Sequence, residues 1–222
     1  MLIHVIQTGP FSVNTYIVKL EGTDALIVDP ACCKFSNDEE KFFSYLEENN
    51  LVPKVIFLTH GHFDHVAGLN VIKQKFPDVK ILIHSNDAHF IGNGSEILQR
   101  ISLEPMNFLE FLPFVSNLPE PDFLVSDSTT LSSYVKNIPL LENWKILHTP
   151  GHTKGSCCLY NQNEKILLSG DTVFHRSCGR TDLFSGSDAD MKQSLNRIYT
   201  ELPEDTKVFP GHNYYGFALG KN

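Results

Sequence analysis

Seven residues of this chain are of metal-binding type and sit in one recurring setting. Thr59-His60-Gly61-His62-Phe63-Asp64-His65 follows the apolar run Val55–Leu58 and offers His60, His62, Asp64 and His65 as donors. Thr149-Pro150-Gly151-His152 ends a second apolar run, and Phe209-Pro210-Gly211-His212 a third. Glycine before each histidine lets the backbone turn sharply as it leaves a strand. Ends of neighbouring strands converge in a sheet, and α/β folds collect their sites there. A fourth apolar strand runs into Ser169-Gly170-Asp171-Thr172 and adds a carboxylate. Imidazole and carboxylate are the donors that zinc and neighbouring metals accept. Donors as dense as those of 60–65 fit one tetrahedral ion poorly and two ions better, with Asp171 as a bridge.

The elements that must position these donors alternate along the chain. Leu2–Gln7, Val13–Leu20 and Ala25–Val28 read as an antiparallel meander. Phe35–Asn50 is expected to be a helix with Ser36 as its N-cap, and Val66–Phe76 a second helix. Lys54–Leu58, Val79–Ile83, Trp144–Leu147, Ser156–Tyr160, Lys165–Leu168 and Lys207–Phe209 read as strands. Asp87–Gly92 starts helically and Asp188–Tyr199 is a helix. The class is mixed α/β. The stretch 92–139 is a variable insertion or cap, with helices near Ser95–Ile101 and Asn107–Phe111. It could cover a site, make a dimer contact or simply pack. No linker interrupts 1–222, so one domain is expected.

Composition narrows the partners. The 222 residues carry 18 Lys+Arg against 26 Asp+Glu, a net charge of −8. Nucleic acid and anionic membranes both need a basic face, so neither is an expected partner. No apolar run approaches the ~18 residues of a membrane span. The start of the chain lacks the basic and apolar regions of a signal peptide, so a soluble cytoplasmic protein is expected. Cys32, Cys33, Cys157, Cys158 and Cys178 are odd in number and form no C-x-x-C. They read as reduced packing residues, with Cys178 set apart in a glycine-containing loop. His4, His84, His89, His175 and His148 read as structural, with support of His152 as the alternative for His148.

The motifs T-H-G-H-F-D-H (59–65), T-P-G-H-T-x-G-S (149–156), S-G-D-T (169–172) and P-G-H (210–212) resemble the metallo-β-lactamase superfamily in order and spacing. The resemblance covers nearly the whole chain. It implies a four-layer αββα sandwich with a dinuclear centre. His60, His62 and His152 would hold one metal, Asp64, His65 and His212 the other, and Asp171 would bridge. The loop Arg176-Ser-Cys-Gly-Arg-Thr-Asp182 is similar to the glyoxalase II-like thioesterases and the related persulfide dioxygenases. With few residues after His212, the chain resembles the short, single-domain glyoxalase II-like branch. That implies hydrolysis of a thioester of the hydroxyacyl-thiol type by metal-bound hydroxide, with Asp64 and Asp171 as catalytic carboxylates. It implies two divalent ions, zinc first and iron or manganese as alternatives. The substrate would be a small-molecule thioester or related anion, with Arg176, Arg180, Tyr214 and Tyr215 as contacts. Pro210-Gly-His-Asn-Tyr-Tyr-Gly216 is similar to the dioxygenases, so a mononuclear iron oxidoreductase of the persulfide-dioxygenase type is the alternative. A non-catalytic metal-binding module is the third reading. The full donor set argues against it, because a structural metal needs only four closed ligands.

Overall fold

The β-branched runs form strands that are apolar on both faces, and this doubled pattern dictates the layering. The structure, a computed structural model, describes residues 3–222. The expected first residue of the meander, Leu2, lies outside the described residues. The first half of the chain supplies one sheet in the order β1-β2-β3-β4-β5-β6. Its strands are β1 (Ile3–Thr8), β2 (Val13–Lys19), β3 (Asp24–Val28), β4 (Val52–Phe57), β5 (Lys80–His84) and β6 (Phe123–Val125). The second half supplies β7 (Trp144–His148), β8 (Cys157–Asn161), β9 (Ile166–Gly170), β10 (Lys207–Pro210) and β11 (Phe217–Ala218). These form a sheet in the order β11-β10-β9-β8-β7.

Alternate side chains sort into three clusters, as a period of two requires. Leu26, Val28, Val55 and Phe57 face Trp144, Ile146, Leu159 and Leu168 between the sheets. Ile27, Ile56 and Ile81 point the other way, against Phe42 and Leu46 of α1 (Glu39–Glu48) and Ile72 of α3 (Leu69–Lys75). On the outer face of the second sheet, Leu147, Tyr160 and Val208 meet Ile198 of α6 (Asp188–Glu201). The layers are therefore helix, sheet, sheet, helix. Trp144 is fully buried in the middle layer. Trp144→Ala is expected to lower stability by about 3–5 kcal/mol, read from the urea midpoint, because a void of that size cannot close. A loss below about 1 kcal/mol would remove Trp144 from the core's supports.

Several expected boundaries are corrected. The helix placed at Phe35–Asn50 starts at Glu39, and its N-cap is Asp38, not Ser36. Asn37 takes a left-handed turn with φ 53, while the Asp38 carboxylate accepts from the backbone N–H groups of Cys33 and Gly9. The helix placed at Val66–Phe76 is broken into α2 (Phe63–Val66) and α3. Gly68 N–H donates to Pro30 O at 2.8 Å, and a Cβ at Gly68 would sit 2.9 Å from that oxygen. The helical start at Asp87–Gly92 is a single 3₁₀ turn, Ala88–Phe90. Asn107–Phe111 is not one helix: Asn107 is left-handed, and a 3₁₀ turn at Leu109–Phe111 leads into α5 (Leu112–Val115).

The stretch 92–139 is only partly an insertion, since β6 pairs with β5 at the edge of the first sheet. α4 (Glu96–Leu103) and α5 pack Leu103, Leu112 and Val115 into the outer cluster. Strands β6 and β11 span three and two residues, too short to show a period in sequence. Cys32, Cys33, Cys157 and Cys158 are buried free thiols, and Cys178 is exposed. No helix among the described residues is long and apolar enough to cross a membrane.

Candidate metal centre

Parallel and antiparallel strands bring their ends to one edge of the sandwich. His60 and His62 lie between β4 and α2, and Asp64 and His65 ride on α2 itself. His152 follows β7, Asp171 directly follows β9, and His212 follows β10. The structure brings all seven together. One ligand atom each from His60, His62 and His152 lie within 4.8 Å of one another, and so do those of Asp64, His65 and His212. His62 Nδ1 is 2.9 Å from His152 Nε2, and His65 Nε2 is 3.1 Å from His212 Nε2. The Asp171 carboxylate lies 3.5 Å from His65, 3.6 Å from His152 and 3.6 Å from His212, between the two groups.

Hydrogen bonds behind the rings set their tautomers. The Thr59 hydroxyl donates to Asp29 Oδ2 at 2.7 Å, so at 3.0 Å it accepts from Nδ1–H of His60. His65 Nδ1–H donates to Asp29 at 2.9 Å, His152 Nδ1–H to Arg180 O at 2.7 Å, and His212 Nδ1–H to Phe11 O at 3.1 Å. Each of these four rings thus turns Nε2 toward the centre, where it presents a lone pair once that nitrogen gives up its proton. His60 Nε2, His62 Nε2 and Asp171 Oδ1 are buried without a hydrogen-bond partner among the described residues. Each such buried atom costs ~1–3 kcal/mol unless something satisfies it. Converging lone pairs and carboxylates of this kind fit divalent cations.

The electrostatics agree. Burial, helped by the surrounding imidazoles, pushes the pKa values of His60 and His62 well down, so both are neutral donors. Burial also disfavours charge on His65, yet the carboxylates of Asp64, Asp171 and Asp29 outweigh it and push its pKa up to about 10. Burial works against ionisation of Asp64, but His65 and His212 hold its carboxyl below the usual carboxylate range. Where three carboxylates raise an imidazole this far, the local field favours positive charge.

Two supports escape sequence reading. Asp29, left-handed at φ 51, accepts from Thr59 N–H, the Thr59 hydroxyl and His65. It falls within a third donor group with His60 and His65, but both its oxygens are already engaged. Asp87, fully buried, ties the two histidine loops together. It accepts from Gly61 N–H at 3.0 Å, the Thr153 hydroxyl at 2.7 Å and Gly155 N–H at 2.7 Å. Asp29 does carry a sequence signal, since it follows the apolar strand β3 as Asp171 follows β9. Asp87 carries none, being 68 positions from Gly155.

Of the four expected substrate contacts, Arg180 lines the cavity beside the donors, and Arg176, Tyr214 and Tyr215 do not. Arg176 is left-handed in a tight Phe174–Ser177 turn and lies in a separate recess with Cys178 and Tyr199. Left-handed Asn213 redirects the chain after His212. Tyr214 consequently rests on His175 and Phe217, and Tyr215 on Phe209. His148 does not support His152: it stacks on His84 and bonds to Lys154 O.

Known proteins share this architecture. Residues 8–212 match the metallo-β-lactamase superfamily. An uncharacterized protein of Aquifex aeolicus is 36% identical over 96% of this chain and 90% of its own. A hydroxyacylglutathione hydrolase of Pelagibacter ubique is 34% identical over 85% of this chain and 65% of that protein. Among solved structures, the BLEG-1 B3 metallo-β-lactamase superposes with a TM-score of 0.81 at 28% identity, over 99% of this chain and 95% of that one. TTHA1623 in a di-iron-bound form gives 0.75 at 26% identity, over 98% and 95%.

Proposed function

The chain belongs to the metallo-β-lactamase superfamily, and on that footing we propose that it is a metal-dependent hydrolase of thioesters, of the glyoxalase II-like, hydroxyacyl-thiol kind. The observation that carries the reading is Asp171, within 3.6 Å of histidines from both donor groups. That placement suits a carboxylate shared by two ions, with His60, His62 and His152 on one side and Asp64, His65 and His212 on the other. Zinc suits the imidazole-rich set, and the di-iron form of TTHA1623 keeps iron in contention. Bound there, divalent ions would lower the pKa of a coordinated water to about 7 and polarise a carbonyl oxygen.

The chain's own residues do the rest. Asp64 and Asp171 offset only half the charge of two divalent ions, so the centre stays electropositive toward a developing oxyanion. With ions held there, the Asp64 carboxylate would also be placed to accept from the attacking water and fix its direction. Asp29, Thr59 and the carbonyls of Phe11 and Arg180 hold the imidazoles so that no reorganisation is needed during reaction. The hydroxyacylglutathione hydrolase among the relatives supports a thioester as the bond cleaved.

The test is a thioester panel, S-lactoylglutathione included, on protein loaded separately with zinc, iron or manganese and assayed for bound metal. Two metal ions per chain and thioester hydrolysis are expected. One iron per chain, with oxygen uptake on glutathione persulfide and no thioester cleavage, would replace this reading with the persulfide-dioxygenase type.

A further inference from the structure

A cavity of about 410 Å³ opens beside the donor cluster. Its floor is the metal-binding side chains, and its walls are Phe11, Phe63, Met106, Phe174 and Leu183. The rings of one wall are locked together. Phe11 meets Phe63 edge-on at 5.4 Å and Phe108 at 5.5 Å, and Phe35 meets Phe108 at 5.4 Å. They come from four separate segments: the β1–β2 turn, the connection from β3 to α1, α2 and the stretch between α4 and α5. The turn is pinned, with Ser12 N–H on Gly9 O, Gly9 N–H on Asp38, and Phe11 O on His212. Phe11 leaves 40% of its surface exposed at the mouth, where a substrate could cover it.

Charge on the walls is scarce. Arg180 is the one arginine or lysine among the described residues that line the cavity. Its guanidinium is already held by both oxygens of Asp182, at 2.7 and 2.8 Å. A carrier thiol bearing two carboxylates, as glutathione does, would need unpaired cations here to offset desolvation. Apolar walls instead reward each methylene removed from water.

Resting on the thioesterase reading, we propose that the preferred substrate carries an apolar, uncharged acyl chain that lies against Phe11, Phe63 and Met106, and that an anionic thiol carrier is not selected. Each methylene buried on that wall is expected to raise kcat/KM about fourfold until the cavity is full.

The test uses metal-loaded protein and two matched series, acetyl to hexanoyl, on N-acetylcysteamine and on glutathione. A rising slope is expected in both, with the neutral carrier at least as good for each acyl group. Phe11→Ala and Met106→Ala should each flatten the slope through KM. Phe11→Ala leaves the carbonyl that holds His212, so its metal content should match the parent protein. A flat slope overturns the proposal, as does a preference of tenfold or more for glutathione esters that Arg180→Ala abolishes. If neither series is cleaved, the thioesterase reading fails by itself. The wall is then judged by calorimetric binding of acetate through hexanoate: affinity rising with length supports it, and flat affinity overturns it.

Discussion

Asp171→Ala is expected to slow hydrolysis by at least about a thousandfold and to reduce the metal bound per chain. Three imidazoles from three separate segments, His65 on α2 and His152 and His212 after β7 and β10, face this one carboxylate at 3.5–3.6 Å. Gly170, at φ +49, presses against the Thr59 side chain, and this close approach aims the next residue at the centre. Without the carboxylate, two cations would face each other with nothing between them. Lewis-acid assistance is worth several kcal/mol of transition-state stabilisation, and each 1.36 kcal/mol is tenfold in rate. The fold should survive, because Asp171 lies at the cavity floor and packs into none of the three apolar clusters. Elemental analysis and kcat/KM on the folded variant are the measurements. Unchanged activity with two metals bound would remove Asp171 from the centre.

Asp87→Ala is expected to have the largest effect on stability of any polar substitution near the site, about 3–5 kcal/mol. Three donors lose their acceptor at once: Gly61 N–H, Gly155 N–H and the Thr153 hydroxyl. The methyl cannot fill the space, and the amides are buried away from water. Gly155 shows how close the fit is, since a Cβ there would lie 2.5 Å from the Asp87 carboxylate. For a chain of this size the loss corresponds to a Tm lowered by roughly 6–20 °C. Metal affinity should also weaken, by about 10–100-fold, because the loops of His62 and His152 lose their common anchor. Asp87→Asn keeps one acceptor oxygen and should recover part of both. A Tm within about 2 °C of the parent protein would show that the two loops hold themselves.

The donors themselves were readable because each sits on a local pattern: an apolar strand, a glycine, then the ligand. Such patterns span fewer than ten residues, and strand convergence does the rest. The alternation of strands and helices gave the mixed α/β class, and the four layers were expected only from the family resemblance of the motifs. What holds the donors was much harder to read. Asp87 meets Gly155 from 68 positions away in the chain, and a lone acid in a turn gives no sign of that. The carbonyls of Phe11 and Arg180 are invisible to side-chain reasoning. The expected roles of Arg176, Tyr214 and Tyr215 came from resemblance of the surrounding loop. Left-handed turns at Arg176 and Asn213 send those side chains elsewhere. Helix boundaries moved where a tertiary contact intervened, as when Pro30 O drew in Gly68 and split the helix.

Phe11 has a double attachment: its ring walls the cavity and its carbonyl orients His212. Met106, which lines the same cavity, belongs to a stretch whose backbone bonds stay local, Asn107 to Glu104 and Phe111 to Phe108. The two halves of the wall are therefore unequally free to diverge during evolution. Insertions or deletions in the β1–β2 turn would release a metal-binding ring, so that half can change only by exchanging one side chain for another. The stretch between α4 and α5 holds no donor ring by a hydrogen bond, so it can vary more widely as long as Phe108 and Phe111 keep their packing on Phe11 and Phe35. New substrate preferences in descendants of this protein should therefore arise there first.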